Sequence, residues 1–223
     1  TCILPILGRG HTTRGRVVRP MGDISKGQNE RFLYNIPNFL TPQDSDHIKE
    51  YIHHIEKDIL ELPEQVNPYY SGTTSRHGQY NFFEQVEQAL NIPLGEYVRD
   101  TIYEFFPEDT DEIWVKSWCN CLHTREEIPI HFHGFDIETD QEDFISGNIF
   151  LSNNNQPNPW YTHYETYGDI INEQGTLSII SSYQPHAVPP NHLEQNRYSC
   201  AFDVYMNNKP TNSETDMYTH YVK

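Results

Sequence analysis

The chain is poor in several things that would have decided its class at once. No apolar run approaches the roughly 20 residues that span a bilayer, only 36% of the residues are hydrophobic, and the mean hydropathy is −0.73. A membrane protein is not expected. The first 20 residues hold one short apolar patch and lack the charged, apolar and small-residue zones of a secretory leader. No initiator methionine opens the chain, which leaves the natural start upstream or trimmed. Basic residues are scarce, 15 against 32 acidic, for a net charge of −17. A nucleic-acid partner is therefore disfavoured, since phosphates are held by a basic face. The four arginines between Arg9 and Arg19 are read as a solvated arm. Cysteines number four, and Cys119-Asn-Cys121 is not the C-x-x-C of a zinc ribbon or a thioredoxin-like site. Reduced thiols and a cytoplasmic setting are expected. Internal repeats, low-complexity linkers and the H-E-x-x-H of zinc peptidases are all missing. At 223 residues the chain has room for a single domain with a real core.

What is present falls into two halves. After the stretch 32–40, Thr41 is a plausible N-cap, with Pro42 in the first helical position and Asp44 in the first turn. Ile48, Ile52, Ile55 and Ile59 then recur on one helical face, so a helix is predicted from about 42 to 61, ended by Pro63. Residues 68–80 read as loop. A second helical stretch covers 82–105 and is divided at Pro93, with Val86, Leu90, Leu94, Val98, Ile102 and Phe105 or Phe106 on its buried side. From residue 113 onward the chain consists of short runs rich in aromatic and β-branched residues, each bounded by Gly, Pro, Asn or Ser. Helices first and strands afterwards predict an α+β domain with a β-sandwich or barrel in its second half. The Asn-rich stretch 152–172 is too long for a tight turn and reads as a lid or insert beside one mouth.

His131 and His133 stand one residue apart in "IPIHFH". On a strand, residues i and i+2 point to the same face, and paired imidazoles on one face are a natural beginning for a first-row metal site. Downstream, His186 stands before Val188-Pro189-Pro190, and Arg197 follows eleven residues after it in an aromatic strand. A buried arginine needs a counter-ion, and a bidentate ligand carboxylate would supply one. His53 and His54 diverge around a helix and do not pair. His11, His47, His77, His163, His192 and His220 carry no pattern and are read as chemically idle.

In order along the chain, Trp118-x-Asn120, His131-x-His133, Ser146–Leu151, Gly175–Ser182, His186–Pro190 and Arg197-x-Ser199-x-x-Phe202 resemble the Fe(II)/2-oxoglutarate-dependent oxygenase superfamily. The branch they are most similar to occurs in bacteria and marine phages. The resemblance spans about 114–206, and the upstream "NFLTPQDSDHI" is similar to the start of the supporting helix in these enzymes. It implies a double-stranded β-helix (jelly roll, cupin-like) with N-terminal supporting helices, Fe(II) at its mouth, and 2-oxoglutarate and O2 as cosubstrates. The implied reaction is hydroxylation of a small-molecule or peptide substrate, with release of succinate and carbon dioxide. By carry-over His131 and His186 are iron ligands. Arg197, helped by Ser199, binds the distal carboxylate of 2-oxoglutarate, with Tyr183 or Asn120 adding hydrogen bonds.

One departure stands out. The superfamily's usual H-x-D/E is replaced here by His131-x-His133. Three readings stay open: His133 as third ligand, Asp136 looping back as the carboxylate, or a two-histidine site with chloride or water. His133 is preferred because it needs no loop rearrangement. The long acidic gap between His133 and Ser146 is a second departure, read as a substrate rim. A cupin is the nearest rival, since His131-x-His133-x4-Glu138 matches its first metal motif, but its P-x-G-x-x-H is missing and Arg197 has no role there. A non-catalytic β-sandwich binding or structural module is the remaining alternative. The organisation expected is one domain: an arm over 1–31, helical support over 32–110, the jelly roll over 111–208 and a tail over 209–223.

Overall fold

A computed structural model of the chain describes residues 32–64, 72–106, 110–133, 144–153, 155, 158–207 and 217–223. The helices form where the apolar spacing requires. Helix α1 (Pro42–Leu60) starts at Thr41, whose hydroxyl accepts from the Asp44 amide at 3.0 Å. Its apolar stripe buries Ile48, Ile52 and Ile59 almost completely. Helix α2 (Phe82–Leu90) ends on Asn91, which takes a left-handed φ of 55°, a conformation Asn tolerates better than most residues. Pro93 then separates it from α3 (Leu94–Phe105), which buries Leu94, Val98 and Ile102.

Among the described residues, ten strands make two antiparallel sheets. The larger has the order β1 (Leu33–Ile36), β7 (Leu177–Ser181), β4 (Phe144–Phe150), β9 (Arg197–Met206), β2 (Glu112–Leu122) and β10 (Thr219–Val222). The smaller runs β3 (Ile128–His131), β8 (His186–Val188), β5 (Tyr161–Tyr164) and β6 (Gly168–Ile171). After β2 the chain passes repeatedly from one sheet to the other, which makes the fold a jelly roll supported by the N-terminal helices. The larger sheet turns Ile113, Val115, Cys119, Ile145, Ile149, Leu177, Ile179, Cys200, Phe202 and Val204 into one continuous core with α1–α3. Its opposite face and the smaller sheet enclose a cavity of about 430 Å³.

Some elements differ from expectation. The stretch 68–80 contains a 3₁₀ turn (Gly72–Arg76), tied to β2 because Thr73 Oγ1 accepts from the Cys121 amide at 2.9 Å and Thr74 Oγ1 donates to Asn120 at 2.8 Å. The Asn-rich stretch 152–172, read as a lid or insert beside one mouth, supplies β5 and β6, half of the smaller sheet. β1 pairs with β7, and β10 pairs with β2 at the opposite edge of the larger sheet, within what was read as a tail. Arg9–Arg19, Cys2, Asp136, Glu138 and the remainder of the acidic gap lie outside the described residues. Among the described residues no helix is long and apolar enough to cross a membrane. Cys119, Cys121 and Cys200 are free thiols.

Candidate metal centre

β3 pairs with β8 so that His131 sits directly opposite His186, and His133 follows just beyond the end of β3. The three rings gather at one end of the cavity. Centroids lie 4.3 Å apart for His131 and His186 and 5.2 Å apart for each of the other two pairs. One ring nitrogen from each lies within 4.8 Å of the others. Every ring is oriented by an oxygen acceptor on Nδ1. His131 donates to the Pro129 carbonyl at 2.8 Å, His186 to the Gln184 carbonyl at 3.0 Å, and His133 to the Asp203 carboxylate at 2.8 Å. A carbonyl or carboxylate can only accept, so Nδ1 carries the hydrogen and the lone pair of each imidazole is on Nε2. Ligand histidines are oriented in just this way around metals.

The electrostatics favour the neutral, ligating form of His131 and His186. Burial, aided by repulsion from His133, lowers His131 from 6.5 to about 4. Burial and the two neighbouring histidines push His186 well down. Burial alone would raise the Asp203 carboxyl, but the His133 charge and hydrogen bonds from His133 and Ser146 outweigh it and hold the group below its ordinary value. Three convergent imidazoles backed by a buried carboxylate suit a first-row metal such as iron, nickel, copper or zinc. The donor set fits a metal.

Asn120 lines the cavity and donates to Ser199 at 3.3 Å. Arg197 is 5% exposed, and among the described residues no carboxylate lies within ion-pair distance of it. Its guanidinium donates to Thr162 Oγ1 at 3.3 Å, and burial lowers it from 12.5 to about 9. Thr162 faces the main cavity, whereas Arg197 itself borders a smaller hollow with Trp160, Tyr161 and His192. Thr162 thus connects the arginine to the main cavity, which Tyr164 also lines, its ring centroid 5.9 Å from that of His186. Beside them Asn148 lines the cavity, and its Oδ1 is buried without a hydrogen-bond partner among the described residues. Tyr183 lies in the turn between β7 and β8 and is not one of the cavity-lining residues.

Several wall residues had no motif to announce them. Asp203 sits six residues after Arg197 in "RYSCAFD", and the one hint was a charged group at an inward position of an apolar strand. His77, read as idle, lines the cavity because the 3₁₀ turn packs on β2, and its ring lies 5.4 Å from Trp118. Burial lowers His77 to about 4. Lys116 lines the same cavity, opposite Asp203 across β2 and β9.

No family model matches the chain, and no curated sequence does. Solved structures do match. A Pseudomonas putida prolyl-4-hydroxylase superposes with a TM-score of 0.52 at 14% identity, over 79% of this chain and 93% of that one. The viral collagen prolyl hydroxylase vCPH of Paramecium Bursaria Chlorella virus-1, in its 2OG complex, gives 0.55 at 10% identity over 79% and 97%. The non-heme monooxygenase ThoJ, in a nickel complex, gives 0.52 at 12% identity over 78% and 74%. The likeness is one of fold, the jelly roll of the 2OG/Fe(II)-type oxygenases.

Proposed function

We propose that the protein is an Fe(II)- and 2-oxoglutarate-dependent oxygenase, a hydroxylase, whose iron is held by His131, His133 and His186. The observation that carries this reading is the convergence of three imidazoles, each with Nδ1 engaged by an oxygen, in a cavity of the oxygenase fold. When bound, iron and 2-oxoglutarate supply the oxidant made from O2, and the cosubstrate leaves as succinate and carbon dioxide.

The protein's own part is positioning and exclusion. His131 and His186, locked across β3 and β8, set two coordination directions. His133 sets the third, and Asp203 fixes its tautomer. Arg197 offers a desolvated positive charge for the distal carboxylate of 2-oxoglutarate, with Thr162, Tyr164 and Asn148 as polar neighbours along the way. Asn120, held by Thr74 and Ser199, presents a fixed amide to the same cavity. Lys116, Trp118 and Tyr205 from the β2–β9 pair, with Phe132 from just beyond β3, line the part of the cavity where a small-molecule or peptide substrate would present its C–H bond. Trp118 also stacks on His133, with centroids 6.0 Å apart, and so shields that ligand from water.

The test is anaerobic addition of Fe(II) and then 2-oxoglutarate to the metal-free protein. A visible charge-transfer band that needs both, and that Arg197→Ala weakens while iron stays bound, is the expected result. Iron binding with no 2-oxoglutarate-dependent band would favour a second reading, a cupin-like metal dioxygenase that does not use 2-oxoglutarate. The observation on its side is the all-imidazole donor set, with no carboxylate among the described ligand candidates of this cavity. No binding of either would remove both.

A further inference from the structure

A second cluster of donors lies away from the cavity, where α1 crosses the C-terminal end of β2. Glu56, Cys121 and His123 each place one donor atom within 4.8 Å of the others. His123 Nε2 is 2.6 Å from Glu56 Oε1 and 3.9 Å from Cys121 Sγ. We propose that these three residues form a second metal site, distinct from the three-histidine centre and selective for zinc through its sulfur.

Sequence spacing and packing create the cluster together. Cys121 and His123 are i and i+2 at the end of a strand, so both project toward the helix layer. Glu56 comes from α1, whose Ile52 and Ile59 are sunk in the core on either side of it. The Glu56 side chain is only 13% exposed, against 48% for His123, so the site is sealed from the protein side and open on the imidazole side. His53 stands one helical turn before Glu56. Its Nδ1 is 3.5 Å from the Tyr198 hydroxyl, and that hydroxyl and Cys121 Sγ share the Asn196 amide at 3.3 and 3.7 Å. The fourth position of a tetrahedron is left to water, reached from the exposed His123 side.

The distances suit the ion. Bond lengths of about 2.3 Å to sulfur and 2.0–2.2 Å to nitrogen and oxygen imply ligand–ligand separations of about 3.3–3.6 Å in a tetrahedron. The observed 2.6 and 3.9 Å bracket that range, so shifts of under about 1 Å assemble the site. Thiolate, imidazole and carboxylate together are a zinc donor set. Binding takes the thiol proton from Cys121 and releases it to solvent, with no change of oxidation state. It also ties α1 to β2, the strand that carries Trp118 and Asn120 into the cavity, and so gives the helix layer a covalent-strength attachment to the catalytic sheet.

Cobalt(II) titration of the full chain tests this, because the three-histidine centre contains no sulfur. Expected are two equivalents of bound cobalt and a near-ultraviolet thiolate-to-cobalt band. The band persists in the His131→Ala/His186→Ala double variant and disappears in Cys121→Ser. His123→Ala is the second probe, since this half-exposed ring can be removed without opening the core, and it too should lose the band and one equivalent. A wild-type protein that binds one equivalent with no sulfur band overturns the proposal. So does a band unchanged by His123→Ala. Neither outcome bears on the 2-oxoglutarate reading, which is read from the other centre.

Discussion

The two faces of the larger sheet are made from the same strands and serve opposite ends. On β9, Tyr198, Cys200, Phe202 and Val204 turn toward the helices, while Ala201 and Asp203 line the cavity and Arg197 and Ser199 share their side of the strand. β2 repeats the pattern, with Val115, Cys119 and Cys121 on one side and Lys116, Trp118 and Asn120 on the other. The helix face is nearly all apolar and held by packing. The cavity face carries a cation near each end and a buried acid, each costly to bury unless something compensates it. The comparison teaches where stability and chemistry reside: a change on one face should register in unfolding, and a change on the other in ligand binding.

The largest effect expected on the cavity side is from His186→Ala. Loss of one of three ligands should abolish the 2-oxoglutarate-dependent iron band, while the unfolding midpoint of the metal-free protein stays where it was or rises. A large fall in that midpoint would break the comparison, because it would make the ring a structural member. The matching change on the helix side is Phe202→Ala. Phe202 is fully buried, packs on Phe83 at 5.7 Å between centroids, and lies over Gly147, where an added Cβ would stand 2.2 Å from its ring. Removing it should cost about 3–5 kcal/mol of stability, measured by denaturant unfolding. Iron stoichiometry per folded molecule should not change.

Acid should act through the histidines around the cavity. His77 and His131 titrate near 4 when folded and near 6.5 otherwise, and His186 is also pushed well down. Below 6.5 the unfolded chain therefore binds more protons than the folded one, and stability falls with falling pH until the folded values are reached. The metal-free protein should lose stability from pH 6.5 to about 4, with a slope approaching three protons. His77→Gln should remove about one of them. An unchanged slope in that variant would place the acid sensitivity elsewhere.

The helix face was the more legible of the two from sequence. Ile48, Ile52 and Ile59 declare α1 by spacing alone, and Pro93 divides α2 from α3, because apolar periodicity is the same quantity that burial later uses. The strand content after residue 113 was legible for the same reason. β5 and β6 were not, because Tyr161–Tyr164 and Gly168–Ile171 are short and set in a stretch dominated by Asn, Pro and Gly; β5 is held as a strand by β8, and β6 by β5. Around the candidate site, His131, His133, His186 and Arg197 could be found because their spacings form a pattern. Lys116, Asn148 and Asp203 could not, since each is brought there by strand pairing with residues dozens of positions away, nor could His77, which the packing of the 3₁₀ turn on β2 places there. Long-range register is what a single sequence hides.

Asp203 gives the finest test of the comparison, because its neighbour Val204 points the other way from the same backbone. The carboxylate accepts from His133 at 2.8 Å and from Ser146 at 2.7 Å and touches no metal position itself. Groups that orient a ligand imidazole typically contribute 10–100-fold in metal affinity, so Asp203→Ala should weaken iron binding by about that factor while both remaining histidines still hold the ion. Asp203→Asn keeps an oxygen acceptor for the His133 Nδ1–H but not the charge, so it should fall between wild type and alanine. If Asn binds iron as weakly as Ala, the charge outweighs orientation. If Asn restores affinity fully, the acceptor alone suffices. Val204→Ala, adjacent but on the helix face, should lower stability by about 1–3 kcal/mol and leave iron affinity unchanged. An equal loss of affinity in Val204→Ala would mean that the two faces are mechanically coupled through β9 and that the separation drawn between them fails at this strand.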